Sequence, residues 1–354
     1  HSSRAYARRR GFPRDFPRVL PHRNIIRFFT IIYYYGKIDK RFSEHFEKSF
    51  IFHKKTRRKA EKMKDLLFTG VATALYTPIT NGEIDFEETE KLIGRQIAGG
   101  VSALVLLGTT GESATVTRKE RKKLISFAIS RIRKRVPLIV GTGSNSTQLA
   151  AELTKEAKDL GADGALVVTP YYNKCTEEGA YLHYRKISEE GLPFLVYNVP
   201  SRTTIDLSAD TLKKISELPC FCGIKEASAD EKSVSGKMDV LSGSIPFYSG
   251  SDDKNLWFYR RGAVGAISVA SNIKPNIIAD IYNNFKNNYN TDAERLDRIM
   301  RPLYAALFCE INPIPLKAMI GILYGKGQET RLPLTEAKKD NVEYFRKLLH
   351  AGQE

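Results

Sequence analysis

The sequence predicts a (β/α)8 barrel followed by a helical extension, and three observations carry that prediction. From Thr69 onward, short apolar or β-branched runs alternate with turn-rich stretches and amphipathic helical segments, as parallel strands joined by crossover helices do. Eight such runs occur before the alternation stops, which is the strand count of this barrel, and the 354 residues leave room for an appendage. After the eighth run only helical periods follow. The main architectural alternative is a doubly wound sheet. No Gly-x-Gly-x-x-Gly opens the first helix, which counts against its dinucleotide-binding version.

Residues 1–62 read differently from the rest. They hold 18 Lys+Arg against 5 Asp+Glu, a net +13 of the chain's +16, so the remainder carries only +3. The first methionine is Met63, and the text before it is basic and aromatic, with no clear apolar period and no capping signals. Three readings stand: an upstream extension of the reading frame or an added leader, a targeting peptide, or a nucleic-acid arm in which aromatics interleave with Arg. The most apolar run there, 28–36, is bracketed by Arg27 and Lys37 and is too short to span a bilayer. We expect a leader outside the fold over 1–62, the barrel over 63–288 and a helical region over 289–354.

Within the barrel, strands are expected near Val71–Leu75, Ala103–Leu107, Pro137–Gly141, Gly164–Val168, Phe194–Tyr197, Cys222–Lys225, Phe247–Ser249 and Ala263–Ser268. Asp85, Thr117 and Ser208 each precede acidic or helix-forming residues, the signature of helix N-caps. Helices are expected over Lys274–Asn288, Thr291–Cys309, Pro315–Tyr324 and Glu336–His350, the last ones serving packing or assembly. Four of the six histidines lie in the leader, leaving His183 and His350, which argues against a histidine-based metal site in the body. Cys175, Cys220, Cys222 and Cys309 form no Cys-x-x-Cys pair and read as reduced core residues of a cytoplasmic protein.

Active sites of such barrels lie where the strands end. The sixth strand ends at Lys225, in Cys-Phe-Cys-Gly-Ile-Lys-Glu. An ammonium in a low-dielectric barrel is pushed toward the neutral amine, a nucleophile able to form a Schiff base with a carbonyl substrate. The plainer alternative is that Lys225 snorkels outward or pairs with Glu226. After the second strand, Gly108-Thr109-Thr110-Gly111-Glu112 offers free N–H groups and hydroxyls suited to a carboxylate. Tyr171-Tyr172 after the fourth strand read as packing or interface residues as readily as catalysts. After the fifth, Tyr197 could supply an acid/base hydroxyl and Arg202 a carboxylate clamp. Gly250, after the seventh, lets backbone carbonyls face the lumen.

Together, Gly108-Thr109-Thr110-Gly111-Glu112, Tyr171-Tyr172, the Tyr197–Thr203 stretch and Gly223-Ile224-Lys225-Glu226-Ala227 resemble the dihydrodipicolinate synthase family, within the pyruvate-dependent lyase superfamily that also holds N-acetylneuraminate lyase. The resemblance spans Met63 to the C-terminus. It implies that Lys225 forms a Schiff base with pyruvate, that Tyr197 moves protons, and that Thr109 connects Tyr197 to Tyr172 reaching in from a neighbouring subunit. It further implies that Thr110 holds the pyruvate carboxylate, that Arg202 holds that of L-aspartate 4-semialdehyde, and that backbone groups of Gly250 and Ile267 line the pocket with Asn312 close by. The family's usual state is a homotetramer, and the iminium serves as electron sink without metal or diffusible cofactor.

A sister aldolase acting on a sugar acid is the nearest alternative, and a guanidinium at position 202 speaks for the smaller, carboxylate-bearing aldehyde. A non-catalytic DNA-binding relative is a third reading, opposed by the complete Lys/Tyr/Thr/Tyr/Arg set. Many relatives are inhibited by lysine; by resemblance its site here would comprise Ser113, Ala114, Arg118, Arg121, Asn145, Leu149 and Tyr171. Leu149 replaces an acidic residue there, and two arginines replace histidines, so the expectation is insensitivity to lysine.

Overall fold

The structure is a computed structural model that describes residues 66–351 apart from Ser242, so readings of residues 1–62 lie outside the described residues. Eight parallel strands close a barrel: β1 Gly70–Ala74, β2 Ala103–Leu106, β3 Leu138–Gly141, β4 Gly164–Val168, β5 Phe194–Asn198, β6 Phe221–Glu226, β7 Phe247–Ser249 and β8 Gly265–Ser268. Each pairs with its sequence neighbour, and β1 closes the ring against β8 with Gly70 opposite Gly265. Every expected strand is present within two residues of its expected start. β6 runs longer at both ends than the reading of Cys222–Lys225.

Outside the ring lie α1 Phe86–Ala98, α2 Arg118–Ile132, α3 Thr147–Leu160, α4 Glu177–Ser188, α5 Ala209–Ile215, α6 Glu231–Leu241, α7 Asn255–Arg260 and α8 Pro275–Lys286. The three expected caps are observed. The Asp85 carboxylate accepts from the Glu88 N–H, Thr117 and Glu120 form a reciprocal box, and the Ser208 hydroxyl accepts from the Thr211 N–H. After the barrel come α9 Asn290–Leu307, α10 Ile314–Tyr324 and α11 Lys339–Ala351. The last begins three residues later than expected, because residues 325–338 fold back along the barrel rim instead of starting a helix. A small hairpin, Ile79–Thr80 with Glu83–Ile84, was not anticipated, although Asn81-Gly82, both at positive φ, is the turn that makes it.

Two cores result. One lies between strands and helices; the other fills the barrel with Ala72, Val105, Ile139, Leu195, Tyr197, Cys222, Tyr248 and Ile267, among others. At the end where the strands begin, Phe68 stacks on Tyr248 with centroids 4.5 Å apart, and the Tyr248 hydroxyl donates to the Phe68 carbonyl at 2.7 Å. Leu67 sits against Gly164 at the start of β4, where a Cβ would come within 2.6 Å of it. That end of the barrel is therefore filled by apolar side chains. One correction concerns Cys309, which follows α9 on the surface and is not a core residue. Among the described residues no helix is long and apolar enough to cross a membrane.

Candidate active site

The open end of the barrel gathers the residues singled out from the sequence. Lys225 is the penultimate residue of β6 and only 5% exposed. Its strand register sets it beside Tyr197 on β5, and its Nζ lies 4.4 Å from the centre of the Tyr197 ring. Burial pushes the Lys225 amine down to about 8; the Asp252 carboxylate opposes that shift and the Arg202 guanidinium adds to it. Snorkelling and pairing with Glu226 are both excluded. Glu226 points to the other face of the strand, where it accepts from Lys237 Nζ at 2.8 Å and from Asn198 Nδ2 at 2.9 Å.

Tyr197 is buried, and burial holds its hydroxyl protonated despite the opposing influence of Arg202 and of a side-chain hydrogen bond with Thr109. Thr109 thus reaches Tyr197 from the β2 loop. The neighbouring Thr110 hydroxyl accepts from Asn312 Nδ2 at 3.0 Å, while the Asn312 carbonyl accepts from Arg202 Nη2 at 3.2 Å. Asn312, just before α10, thereby ties together the two residues expected to hold carboxylates. Gly250 is hydrogen-bonded through its N–H to the Glu226 carbonyl at 2.8 Å. A Cβ there would come within 3.1 Å of Lys225 Cε and 2.7 Å of Ala227 Cβ, so only glycine fits beside the lysine stem. Ile267 on β8 lines the same interior.

Tyr172 is not brought to the others. It lies 92% exposed at φ +68 in the β4 loop, with Tyr171 beside it also exposed. Among the described residues nothing covers its ring.

Two buried carboxylates at the site were given no role from the sequence. Asp252, beyond β7, is the buried carboxylate facing Lys225. It accepts from the N–H groups of Val269 and Ala270 at 2.9 Å each and from the Ser268 side chain. These groups favour its ionised form, while burial pushes the carboxyl up. Glu112 closes the β2 loop at φ +52 and forms a buried ion pair with Lys317 of α10. Its other oxygen accepts from the Arg331 N–H at 3.1 Å. The Asp in Gly-Ser-Asp-Asp and the Glu in Gly-Thr-Thr-Gly-Glu were visible; their partners were not.

Comparison with known proteins decides the family. The model of the Dihydrodipicolinate synthetase family matches residues 67–352. The chain belongs to that family. It is accordingly an enzyme, a lyase. A 4-hydroxy-tetrahydrodipicolinate synthase of Thermotoga neapolitana is 42% identical over 288 residues, covering 80% of this chain and 98% of that one. The dihydrodipicolinate synthase structure from Thermotoga maritima aligns with a TM-score of 0.79 at 41% identity, covering 81% of this chain and 99% of the other. The enzyme of Cyanidioschyzon merolae, described with lysine bound, aligns with a TM-score of 0.78 at 35% identity over 81% of this chain and 99% of its own.

Proposed function

We propose that Lys225 is the covalent catalyst of a condensation between pyruvate and L-aspartate 4-semialdehyde that yields 4-hydroxy-tetrahydrodipicolinate. The observation that carries this reading is the lysine itself: buried, with no ion-pair contact among the described residues, and set against the ring of a tyrosine bonded to a threonine. At pH 7 an amine with a pKa of about 8 is roughly one-tenth neutral, against about one part in three thousand for an ordinary lysine.

The neutral Nζ adds to the pyruvate carbonyl carbon; loss of water gives the iminium, into which electrons from a methyl C–H bond are drawn as the proton leaves. The enamine then attacks the aldehyde carbon, forming the new C–C bond as the aldehyde oxygen takes up a proton. Attack by the substrate's own amine on the iminium carbon closes the ring and releases Lys225. Tyr197, kept protonated by burial, gives up its hydroxyl proton and takes one back, with Thr109 as its bonded neighbour. Thr110 would receive the pyruvate carboxylate deep in the barrel. Arg202, nearer solvent, would receive that of the aldehyde. The chemistry calls for no metal or diffusible cofactor.

Exposed and held in a left-handed conformation, Tyr172 is read as a donation to the neighbouring subunit's Thr109, which requires a dimer at least; a homotetramer is the assembly we propose. Free thiols at Cys175 and Cys309 suit a reducing cytoplasm. The sugar-acid reading is not favoured, since a guanidinium fork meets a carboxylate and not a run of hydroxyls. Pyruvate with borohydride tests the assignment: a mass adduct is expected on Lys225, and an adduct that persists in Lys225→Ala would overturn it.

A further inference from the structure

Behind Asp252, outside the barrel, four buried polar atoms lack a hydrogen-bond partner among the described residues: Asn255 Oδ1, the Tyr259 hydroxyl, Asp297 Oδ1 and the Tyr304 hydroxyl. All four side chains are at least nine-tenths buried. They come from two helix faces. Asn255 and Tyr259 lie one turn apart on α7, and Asp297 and Tyr304 two turns apart on α9, so each pair projects the same way. The faces meet over Asp252. Asn255 Nδ2 reaches Asp252 Oδ1 at 3.4 Å, and the charges of Asp252 and Asp297 act on both tyrosine hydroxyls. The remaining oxygen of Asp297 is held by Arg301 at 2.7 Å. Asp297 also lines an outer cleft of about 560 Å³ with Asp253, Trp257 and Arg301.

Buried hydroxyls and carboxylates are paired almost without exception, and four orphans clustered in one place mark a site that water occupies. We propose that Asn255, Tyr259, Asp297 and Tyr304 enclose a hydrated polar chamber that solvates the outer side of the Asp252 carboxylate, making two helices outside the barrel part of the machinery that places charge opposite Lys225. This rests on the reading of Lys225 as the Schiff-base lysine. The tyrosines are positioning residues that act through Asp252 and water.

The direction of the effect follows from the groups involved. Lys225 faces Asp252, Arg202 and the Tyr197 ring. Asp252 faces Lys225, the Ser268 side chain, the N–H groups of Val269 and Ala270, and the chamber; Asp297 behind it also feels Asp253, Arg301 and Arg260. Drying the chamber removes solvation from the Asp252 carboxylate and favours its neutral form. Lys225 then loses counter-charge, and its ammonium gives up a proton more readily.

The test is the pH dependence of the rate at which pyruvate and borohydride trap Lys225 in the intact enzyme. Tyr259→Phe and Tyr304→Phe, singly and together, should lower the midpoint, by about half a pH unit or more in the double variant. Tyr282→Phe, whose hydroxyl already donates to the Val264 carbonyl at 3.0 Å, should leave it in place. In an Asp252→Asn background the Tyr259→Phe change should add nothing, since its effect passes through that carboxylate. An unchanged or raised midpoint in either folded single variant overturns the proposal, as does a full Tyr259→Phe shift without the Asp252 charge. Absence of any adduct on wild-type Lys225 would instead remove the catalytic assignment on which the proposal rests.

Discussion

At the scale of single residues, Lys225 makes a pH prediction whose sign is fixed by its environment. Because burial lowers its pKa, the reactive amine is the form that gains as pH rises. The trapping rate with pyruvate should climb roughly tenfold from pH 6 to 7 and level off above about 8. A rate still climbing steeply at pH 9.5 would show an amine with an ordinary lysine pKa. Arg202 makes a second prediction. Removing a charged fork from a carboxylate costs about 2 to 4 kcal/mol, so Arg202→Ala should raise the KM for L-aspartate 4-semialdehyde by about thirty-fold or more. The KM for pyruvate should move little, and equal losses for both substrates would displace Arg202 from this role. Lys225 and Tyr197 were legible in the sequence because each sits at a strand end, which periodicity locates, and Arg202 because it follows β5 in the short helix Pro200–Thr203. Asp252 was not, since its importance depends on β7 and β8 ending side by side, a relation that no local pattern records.

Among the elements, the β2 loop shows how the site is held. Its Glu112 is anchored by Lys317 on α10, and Asn312 just before that helix bonds Thr110. Removing one partner from a buried ion pair costs about 3 to 5 kcal/mol. Lys317→Ala should therefore lower the melting temperature markedly and, by loosening Thr109 and Thr110, raise the KM for pyruvate. A stable variant with unchanged pyruvate kinetics would separate the loop from the helix. The helices themselves were readable because caps and periods are local. The folding back of residues 325–338 was not, being set by distant contacts such as the Glu329 carboxylate on the N–H groups of Asn81 and Gly82.

The helices α2 and α3 also bear on regulation. Arg121 is buried, donates to the Gly141 carbonyl at 2.8 Å, and is pushed down to about 10 mainly by that burial. Arg118 is engaged by Glu152 and Glu156, so its charge is more nearly balanced than the sequence implied. The exposed Leu149 supplies no carboxylate for a ligand's ammonium. Millimolar L-lysine should accordingly leave the rate unchanged at saturating pyruvate. Substantial inhibition would mean that Glu152 and Glu156, and not position 149, meet the ligand's charge.

For the molecule as a whole, the barrel could be read in full because each parallel strand is buried on both faces and so appears as an apolar run. Residues 1–62 precede the family match, and we predict that their removal preserves folding and activity; loss of soluble, active protein on truncation would assign them a structural role. The boundary matters, because Leu67 and Phe68 fill the end of the barrel where the strands begin. That filling turns the barrel into a vessel with one mouth. With Lys225 as the proposed covalent lysine, both reactants, the water expelled in forming the iminium and the product would share a single route past the exposed Arg202. A bound aldehyde would then block the way down to Lys225, so we predict ordered turnover, with pyruvate entering first and excess aldehyde inhibiting in competition with it, which initial-rate kinetics at varied concentrations of both substrates would check.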